Sequence, residues 1–339
     1  MTDCSGYRKE AAIKLAAIDI GTNSTRLLIS ELKSLPSVRG GVQFSPLIRE
    51  MKITRLGKDL EKTGCISSRG ADDTVQVLRH YLDLMGSNNV TRFRIVGTRV
   101  LRSAKNSAWF TDKVKRELGA DVEIISGEDE AKLAFNGVVK GFLPELPAKI
   151  VNCRELSENA VKGNIFVTDI GGGSTEFIIG NPEGGISYLN SIPLGSVMVS
   201  ELFLDDKKPP ADRIREMSAF IFNNLSEVPG DIKKRCFSYA VGLAGTVSAL
   251  ASVELGLDRY EREKIHGHIL KYEKVLEIQK LFCSMDLENR KNIRGLEKER
   301  ADIIVGGTAI LIEIMKILSI EKLTACENDI LDGVVYSIF

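Results

Sequence analysis

The feature that most constrains the fold is a repeat in which two similar segments lie 150 residues apart. Residues 14–30 read KLAAIDIGTNSTRLLIS, and residues 164–180 read NIFVTDIGGGSTEFIIG. Across 19–29 and 169–179, six of eleven positions are identical. Each copy has an apolar run, a glycine-containing turn and a second apolar run, which is the pattern of a β-hairpin. Two such hairpins, one in each half, predict two related α/β domains that face each other.

The segments outside the hairpins alternate between helical and strand patterns. Residues 69–85 have the apolar spacing of a helix, and so do residues 303–318. Ser126 is followed three residues later by Asp129, which is the form of a capping box and predicts a helix start. Residues 239–250, YAVGLAGTVSAL, predict a strand, a glycine loop and a helix.

The charges cancel overall but are unevenly distributed. The chain has 339 residues with 46 Lys+Arg and 46 Asp+Glu, which argues against a dedicated nucleic-acid binder. Residues 1–126 carry a net charge of +7, and residues 127–339 carry −7. This asymmetry indicates a cleft between unlike halves. The sequence does not show whether the basic surplus faces that cleft.

Cysteine spacing and hydropathy bear on the compartment. The six cysteines contain no CxxC pair, which disfavours a disulfide framework or a zinc cluster. The apolar stretch near the N-terminus is interrupted by Asp19, and the segment 303–318 is too short to span a bilayer. We therefore expect a cytoplasmic protein with no membrane partner.

The two glycine turns are candidate phosphate-binding loops. Consecutive backbone N–H groups in such loops form an anion-binding concavity, and the neighbouring hydroxyl and amide side chains add donors. For either hairpin alone, a purely structural tight turn is the alternative. The recurrence of Asp-Ile-Gly and Ser-Thr in both copies favours phosphate binding. The predicted phosphate-binding residues of the loops are Gly21, Thr22, Asn23, Ser24, Gly171, Gly172, Gly173 and Ser174.

Carboxylates next to the loops are candidate metal ligands. Asp19 and Asp169 end the first strand of each hairpin, and Glu176 lies two strand positions beyond Ser174 on the same side of the pleat. Hard carboxylate oxygens suit Mg²⁺, held mainly through water and completed by phosphate oxygens. The predicted cofactor is therefore Mg²⁺, with Mn²⁺ as the alternative metal.

At this point the sequence resembles a known family. Paired DIG hairpins mark the actin/Hsp70/sugar-kinase superfamily. The motifs themselves are similar to those of the exopolyphosphatase and guanosine pentaphosphate phosphohydrolase (Ppx/GppA) family. Eight ordered blocks carry the resemblance: AAIDIGTNSTRLLI at 16–29, RLGKDLEKTG at 55–64, VGTRVLR at 96–102, IISGEDEAKLAF at 124–135, VTDIGGGSTEFIIG at 167–180, IPLGSVMVSELFL at 192–204, VGLAGTVSALA at 241–251 and RADIIVGGTAIL at 300–311. Residues 327–336 depart from the pattern, because they lack an expected serine and arginine.

The resemblance implies a fold and an activity. It implies an α/β fold of two actin-like (ribonuclease H-like) domains related by internal duplication, with an interdomain cleft. The domains are expected over 1–126 and 127–328, with a C-terminal helix over 329–339 that could pack on the first. Family members remove the terminal phosphate of inorganic polyphosphate, or the 5′ γ-phosphate of guanosine pentaphosphate, with water as nucleophile. Many form homodimers. The chain resembles the short, two-domain form.

Two site residues follow from the resemblance. The second glutamate of the SGxxEA block is the family's proposed general base, and it maps to Glu130. Its position beside the apolar stripe led by Ala131 agrees, since it should point towards the cleft; a third helix-capping acid is the alternative. Arg102 matches a family arginine that contacts substrate phosphate, against the alternative of a solvated basic residue.

Two other functions stay open. A small-molecule, sugar-type kinase of the same superfamily would share the DIG hairpins, although no sugar-specific block is evident. An actin-like, nucleotide-dependent scaffold is the third hypothesis. The sequence does not choose between polyphosphate and guanosine pentaphosphate, because both present a terminal phosphoanhydride.

Overall fold

The two predicted hairpins form the centres of two separate β-sheets. The structure is a computed structural model that describes residues 12–33, 42–142, 163–226, 228–232 and 237–339. In the first sheet, β1 pairs with β2 and β4, β2 with β3, and β4 with β5; the pairs β1–β4 and β4–β5 are parallel. Its strands are β1 Lys14–Ile20, β2 Ser24–Lys33, β3 Gln43–Ile53, β4 Arg92–Gly97 and β5 Glu123–Ile124.

The second sheet repeats this plan and extends it by one strand. Its order is β10-β11-β9-β6-β7-β8, against β5-β4-β1-β2-β3 in the first sheet. The antiparallel hairpin β6–β7 and the parallel neighbour β9 correspond to β1–β2 and β4. Its strands are β6 Ile165–Ile170, β7 Thr175–Gly180, β8 Ile186–Ile192, β9 Tyr239–Leu243, β10 Ile269–Lys271 and β11 Lys322–Ala325. The predicted hairpins and the duplicated α/β fold are therefore confirmed.

Helices cover and separate the sheets. The predicted helices over 69–85 and 303–318 are confirmed as α2 and α13. A π-helical turn covers Val138–Phe142, and a 3₁₀ turn covers Lys298–Arg300. The α-helices are α1 Leu60–Thr63, α2 Ser68–Ser87, α3 Arg99–Ser103, α4 Ser107–Leu118, α5 Gly127–Gly137, α6 Ser196–Phe203, α7 Ala211–Leu225, α8 Val228–Ile232, α9 Ala244–Leu255, α10 Arg262–Ile265, α11 Tyr272–Cys283, α12 Leu287–Arg290, α13 Ile304–Ile317 and α14 Ile330–Ile338. Among the described residues, no helix combines the length and apolarity needed to cross a bilayer.

Helices α5 and α14 lie between the two sheets. One buried cluster joins Leu15 and Leu28 of the first sheet to Val167 and Ile178 of the second through apolar residues of both helices. The helix backbones approach so closely that a Cβ on Gly333 would lie 1.9 Å from the carbonyl oxygen of Leu133. Helix α14 packs on β1, β2 and β4 of the first sheet, α5 packs on β6, β7 and β8 of the second, and the two helices contact each other. The predicted division into 1–126 and 127–328 stays a prediction.

Two local features determine where α5 and α9 begin, near the cleft. The Ser126 hydroxyl accepts the Asp129 amide at 3.0 Å, so the predicted cap of α5 is confirmed. The glycine loop predicted within 239–250 is wrong, because β9 passes directly into α9. The chain turns from β9 into α9 at Ala244, which has a φ of 66°. A Cβ on the next residue, Gly245, would collide with the guanidinium of Arg300.

Candidate active site

A cleft of about 420 Å³ opens where the two hairpin loops meet. Both loops close in the same way: the Gly21 amide donates to the Ser24 carbonyl, and the Gly171 amide donates to the Ser174 carbonyl, each at 2.9 Å. The predicted residues that line the cleft are Asp19, Gly21, Thr22, Asn23, Ser24, Glu130, Asp169, Gly171, Gly172, Gly173 and Ser174. The structure thus brings both loops and Glu130 together.

The two loops touch each other. A Cβ on Gly172 would lie 3.1 Å from Cβ of Thr22, and one on Gly173 would lie 2.6 Å from Oγ1 of the same threonine. On the far side of the second loop, a Cβ on Gly195 would meet the backbone of Gly172 at 2.4 Å. Glycine at 195 therefore allows close packing of backbone on backbone, whereas at 172 and 173 it leaves room for the side chains of Thr22 and Arg99.

The second loop presents amides and not carbonyls to a ligand. The carbonyls of Gly171 and Gly172 accept the amides of Ser196 and Val197 at the start of α6, each at 2.9 Å. The Gly173 carbonyl accepts Nη1 of Arg99. In the part of the chain that the structure describes, the amides of Gly172 and Gly173 donate to no backbone carbonyl. A phosphate could take these donors.

Three buried acidic side chains, Asp19, Asp169 and Glu176, and the partly buried Glu130 lie around the loops. Burial is the main cause that raises the pKa of Glu130 and of Asp169 to about 7 each. Burial also raises the pKa of Asp19, against the opposing effect of Arg26. The pKa of Glu176 lies well above its ordinary value, because burial is reinforced by the charges of Glu130 and Asp169. Such a cluster holds protons readily at neutral pH and favours binding of a cation.

Glu130 is held by a single arginine. Nη1 of Arg102 lies 2.7 Å from Oε2 of Glu130 and 2.8 Å from the carbonyl oxygen of Ile125. The Glu130 side chain is 14% exposed and faces the cleft. A carboxylate with a pKa near neutrality, oriented by one partner, has the properties of a general base.

Arg26 and the start of α14 contribute a network that the sequence argument missed. Arg26 lies opposite Asp19 in the β1–β2 ladder and donates to its Oδ2 from Nη2 at 2.6 Å. Nη1 of Arg26 donates to Asp329, and Nη2 of Arg49 donates to Asp332 at 2.5 Å. Although burial opposes ionisation of Asp329, the two arginines lower its pKa. Arg26, Arg49 and Asp329 all line the cleft.

Two predicted site residues do not line the cleft itself. Arg102 lines a second cavity behind the loop and reaches the cleft through Glu130. Glu176 is 2% exposed and accepts the Ser191 hydroxyl at 2.7 Å beneath the loop. It is the ladder partner of Asp169. Direct contact of either side chain with a ligand therefore requires movement of its present partner.

The basic surplus of the N-terminal half does not line the cleft. The side chains around the cleft include eight acids and five arginines. Of the basic residues before position 127 that the structure describes, only Arg26, Arg49 and Arg99 are among them, and each is paired with an acid. A polyanionic ligand would thus enter a cleft with an acidic excess, which calls for an additional cation.

The carboxylates fit the divalent cation that the sequence predicts. Oδ1 of Asp19 is buried and accepts no hydrogen bond within the described part of the chain. Asp169 and Glu176 lie side by side on the second hairpin, and all three are hard oxygen donors. No cluster of three or more His, Cys, Asp or Glu among the described residues forms a ready-made metal cage. Binding of Mg²⁺ by these carboxylates stays a prediction.

Comparison with known proteins agrees with this geometry. The profile of the Ppx/GppA phosphatase family matches residues 35–152 and 153–339. The chain is 33% identical over 327 residues to a bifunctional 3-dehydroquinate synthase/phosphatase of Fusobacterium nucleatum, covering 94% of this chain and 46% of that protein. It is 30% identical over 337 residues to exopolyphosphatase 2 of Mycobacterium tuberculosis, covering 97% and 99% of the two chains.

Further relatives have other names and lengths. A guanosine-5′-triphosphate,3′-diphosphate pyrophosphatase of Aeromonas hydrophila is 28% identical over 323 residues, which cover 95% of this chain and 59% of that protein. The chain therefore spans about half the length of some curated relatives and nearly all of others. The crystal structure of the Aquifex aeolicus Ppx/GppA family member has a TM-score of 0.75 and 30% identity, covering 96% and 97% of the chains. This likeness confirms the predicted actin-like, two-domain fold. The chain belongs to the Ppx/GppA phosphatase family, as its eight sequence blocks indicate.

Proposed function

We propose that this chain is a phosphohydrolase that releases the terminal phosphate of inorganic polyphosphate, the 5′ γ-phosphate of guanosine pentaphosphate, or both. The observation that carries the proposal is the placement of Glu130. A partly buried carboxylate with a pKa of about 7 faces two loops, the second of which presents backbone amides that suit a phosphate. The names of the relatives, an exopolyphosphatase and a guanosine pentaphosphate pyrophosphatase, support both substrates.

In this proposal the loops hold the terminal phosphate and Glu130 activates water. The amides of the second loop and the hydroxyls of Thr22 and Ser24 bind the phosphoryl oxygens. The water oxygen forms a bond to phosphorus while the bond from phosphorus to the bridging oxygen breaks, and Glu130 accepts the proton from water. Phosphoryl transfer needs mainly this positioning and charge neutralisation, with little covalent chemistry from protein.

Asp19, Asp169 and Glu176 would hold Mg²⁺, with Mn²⁺ as the alternative. The bound ion would neutralise charge on the phosphate chain in a cleft that has an acidic excess. Arg26 orients Asp19 and opposes the effect of burial on its pKa, and the hydroxyls of Ser174 and Ser191 orient Glu176. Arg102 orients Glu130 and supplies a positive charge near the phosphate.

The far end of the cleft favours a nucleoside as one of the accepted groups. Ala249, Leu257 and Leu296 give it apolar walls, and Tyr260 adds an aromatic ring. Both signs of charge are present there, because Arg259 and Arg300 accompany Asp258 and Glu327 in the lining. These features favour guanosine pentaphosphate as a substrate beside polyphosphate.

The test compares both substrates in one assay. Purified protein with Mg²⁺ is expected to release orthophosphate from long-chain polyphosphate and from guanosine pentaphosphate, with kcat/KM measured side by side. ATP-dependent phosphorylation of a sugar without phosphate release would instead support the kinase, and nucleotide-dependent sedimentation would support the scaffold. The expected homodimer is tested by light scattering on the same sample. No phosphate release from either substrate would refute the proposal.

A further inference from the structure

A second cavity lies directly behind the phosphate loop. Its volume is about 690 Å³, and we call it the rear cavity; it is lined by Arg99, Arg102, Ser103, Gly127, Glu128, Ser174, Leu189, Asn190, Ser191, Ile192 and Pro193. Arg99 and Ser174 also line the cleft. The loop residue Ser174 therefore has the cleft on one side and the rear cavity on the other.

The cleft and the rear cavity adjoin at Arg99 and Ser174, which line both. Arg99 donates from Nη1 to the Gly173 carbonyl and from Nη2 to Oε1 of Glu61 at 2.8 Å. Arg102 lines the rear cavity, and its partner Glu130 lines the cleft. Two arginine side chains, which are long and flexible, thus form a wall that rotamer changes could open.

The rear cavity differs in charge from the cleft. Its lining includes Arg99 and Arg102 against one acid, Glu128, which is 64% exposed and paired with Lys132 at 2.6 Å. The cleft lining has three more acids than arginines. Both rear-cavity arginines are paired, Arg102 with Glu130 and Arg99 with Glu61, so the two linings differ mainly in their acids, one at the rear against eight in the cleft. A free phosphate anion beside the loop therefore meets less repulsion towards the rear than towards the front.

We infer that the rear cavity is the exit for orthophosphate, which leaves behind the loop while the shortened substrate stays in the cleft. This inference rests on the proposed function. After the water attack, the new orthophosphate lies at the loop and the remaining phosphate chain fills the front. Glu130 now carries the proton from water and has lost its charge, so Arg102 is left to pair with the product anion. Cleavage itself thereby weakens the wall.

The first experiment measures inhibition by added orthophosphate. An anion that could enter only from the front would compete with polyphosphate for the empty cleft, and only the apparent KM would rise. Entry from the rear lets orthophosphate bind while a chain occupies the front, so the maximal rate falls as well. We expect this mixed pattern with long-chain polyphosphate. Purely competitive inhibition would overturn the exit.

The second experiment changes the charge at the exposed edge of the rear cavity. Ser103, the last residue of α3, is exposed there. Ser103→Glu adds a negative charge, and Ser103→Gln is the matched control of equal size. Stopped-flow detection with a fluorescent phosphate sensor reports release, and acid quench reports cleavage. We expect Ser103→Glu to slow release, or to raise the inhibition constant of orthophosphate, by about threefold or more at low salt relative to Ser103→Gln.

The controls separate this inference from the proposed function. Ser87→Glu adds the same charge on an exposed helix end outside both cavities and should leave release unchanged. Equal release and equal inhibition in Ser103→Glu and Ser103→Gln, with normal cleavage in both, would overturn the exit alone. Wild-type protein that yields no cleaved phosphate in the acid quench would refute the proposed function and the exit together.

Discussion

Replacing Glu130 with glutamine should lower activity and raise stability at the same time. The variant keeps the shape of the side chain and its position beside Arg102 but cannot accept a proton from water. A positioned general base contributes about 10²- to 10⁴-fold, so kcat should fall by that range while KM changes little. If Glu130 were only a helix-capping acid, phosphate release would hardly change.

The stability change follows from the raised pKa. Burial raises the pKa of Glu130 from 4.5 to about 7, so the folded protein binds the proton more tightly than the unfolded chain does. The contribution to stability is complete below pH 4.5 and is lost as the pH rises towards 7 and above. At ~1.4 kcal/mol for each pH unit in between, the ionised carboxylate lowers the free energy of unfolding by roughly 3 kcal/mol at pH 8. Glutamine avoids this penalty.

The measurement is urea unfolding at pH 4.5 and pH 8 in the presence of EDTA. Glu130→Gln should match the wild type at pH 4.5 and exceed it by up to about 3 kcal/mol at pH 8. Asp129→Asn, an exposed acid in the same helical turn, is the matched control and should keep full activity. Full phosphate release by Glu130→Gln, or a variant less stable than wild type at pH 8, would refute the reasoning.

Three further predictions concern the surroundings of Glu130. Arg26→Gln removes the arginine partner of buried Asp19 and one of the two arginines that pair with Asp329, which keeps Arg49. It should lower the free energy of unfolding by about 3–5 kcal/mol in urea, whereas exposed Arg69→Gln should change it by under about 1 kcal/mol. Gly195→Ala pushes a Cβ into loop backbone and should raise KM for polyphosphate severalfold, while helical Gly86→Ala, whose Cβ meets nothing within 4 Å, should keep wild-type kinetics. EDTA should abolish phosphate release and Mg²⁺ or Mn²⁺ should restore it, with Asp169→Asn requiring more metal; activity that persists in EDTA would exclude the metal.

The parts of the site that could be predicted are those that a short stretch of sequence encodes. Each hairpin, with its aspartate and its glycine turn, is specified within about twenty residues, so the duplication revealed both loops. Glu130 could be placed because a capping serine and an apolar stripe fix the face of its helix. The duplicated topology then follows, because a strand on the same side of each hairpin pairs in parallel.

The parts that could not be predicted depend on long-range contacts. Asp329 lies 303 positions from Arg26, and nothing near either residue in sequence indicates the other. The departure of residues 327–336 from the family pattern was the one available signal, because it left a polar segment without an assigned role. The uneven charge of the two halves left open whether the basic surplus faces the cleft, since net charge does not say which face carries it.

The cross-strand neighbour of the repeated aspartate breaks the symmetry of the duplication. Asp19 faces Arg26 across its ladder, whereas Asp169 faces Glu176 at the equivalent position. The first hairpin thus pairs its aspartate with the guanidinium of Arg26. The second places two carboxylates opposite each other, and a bound cation would reduce their mutual repulsion. The two related halves therefore differ in electrostatics: the first supplies a positive side chain, and the second can bind a cation. This single difference between the two β-ladders makes the two halves unequal, so that a bound cation is favoured beside the second hairpin.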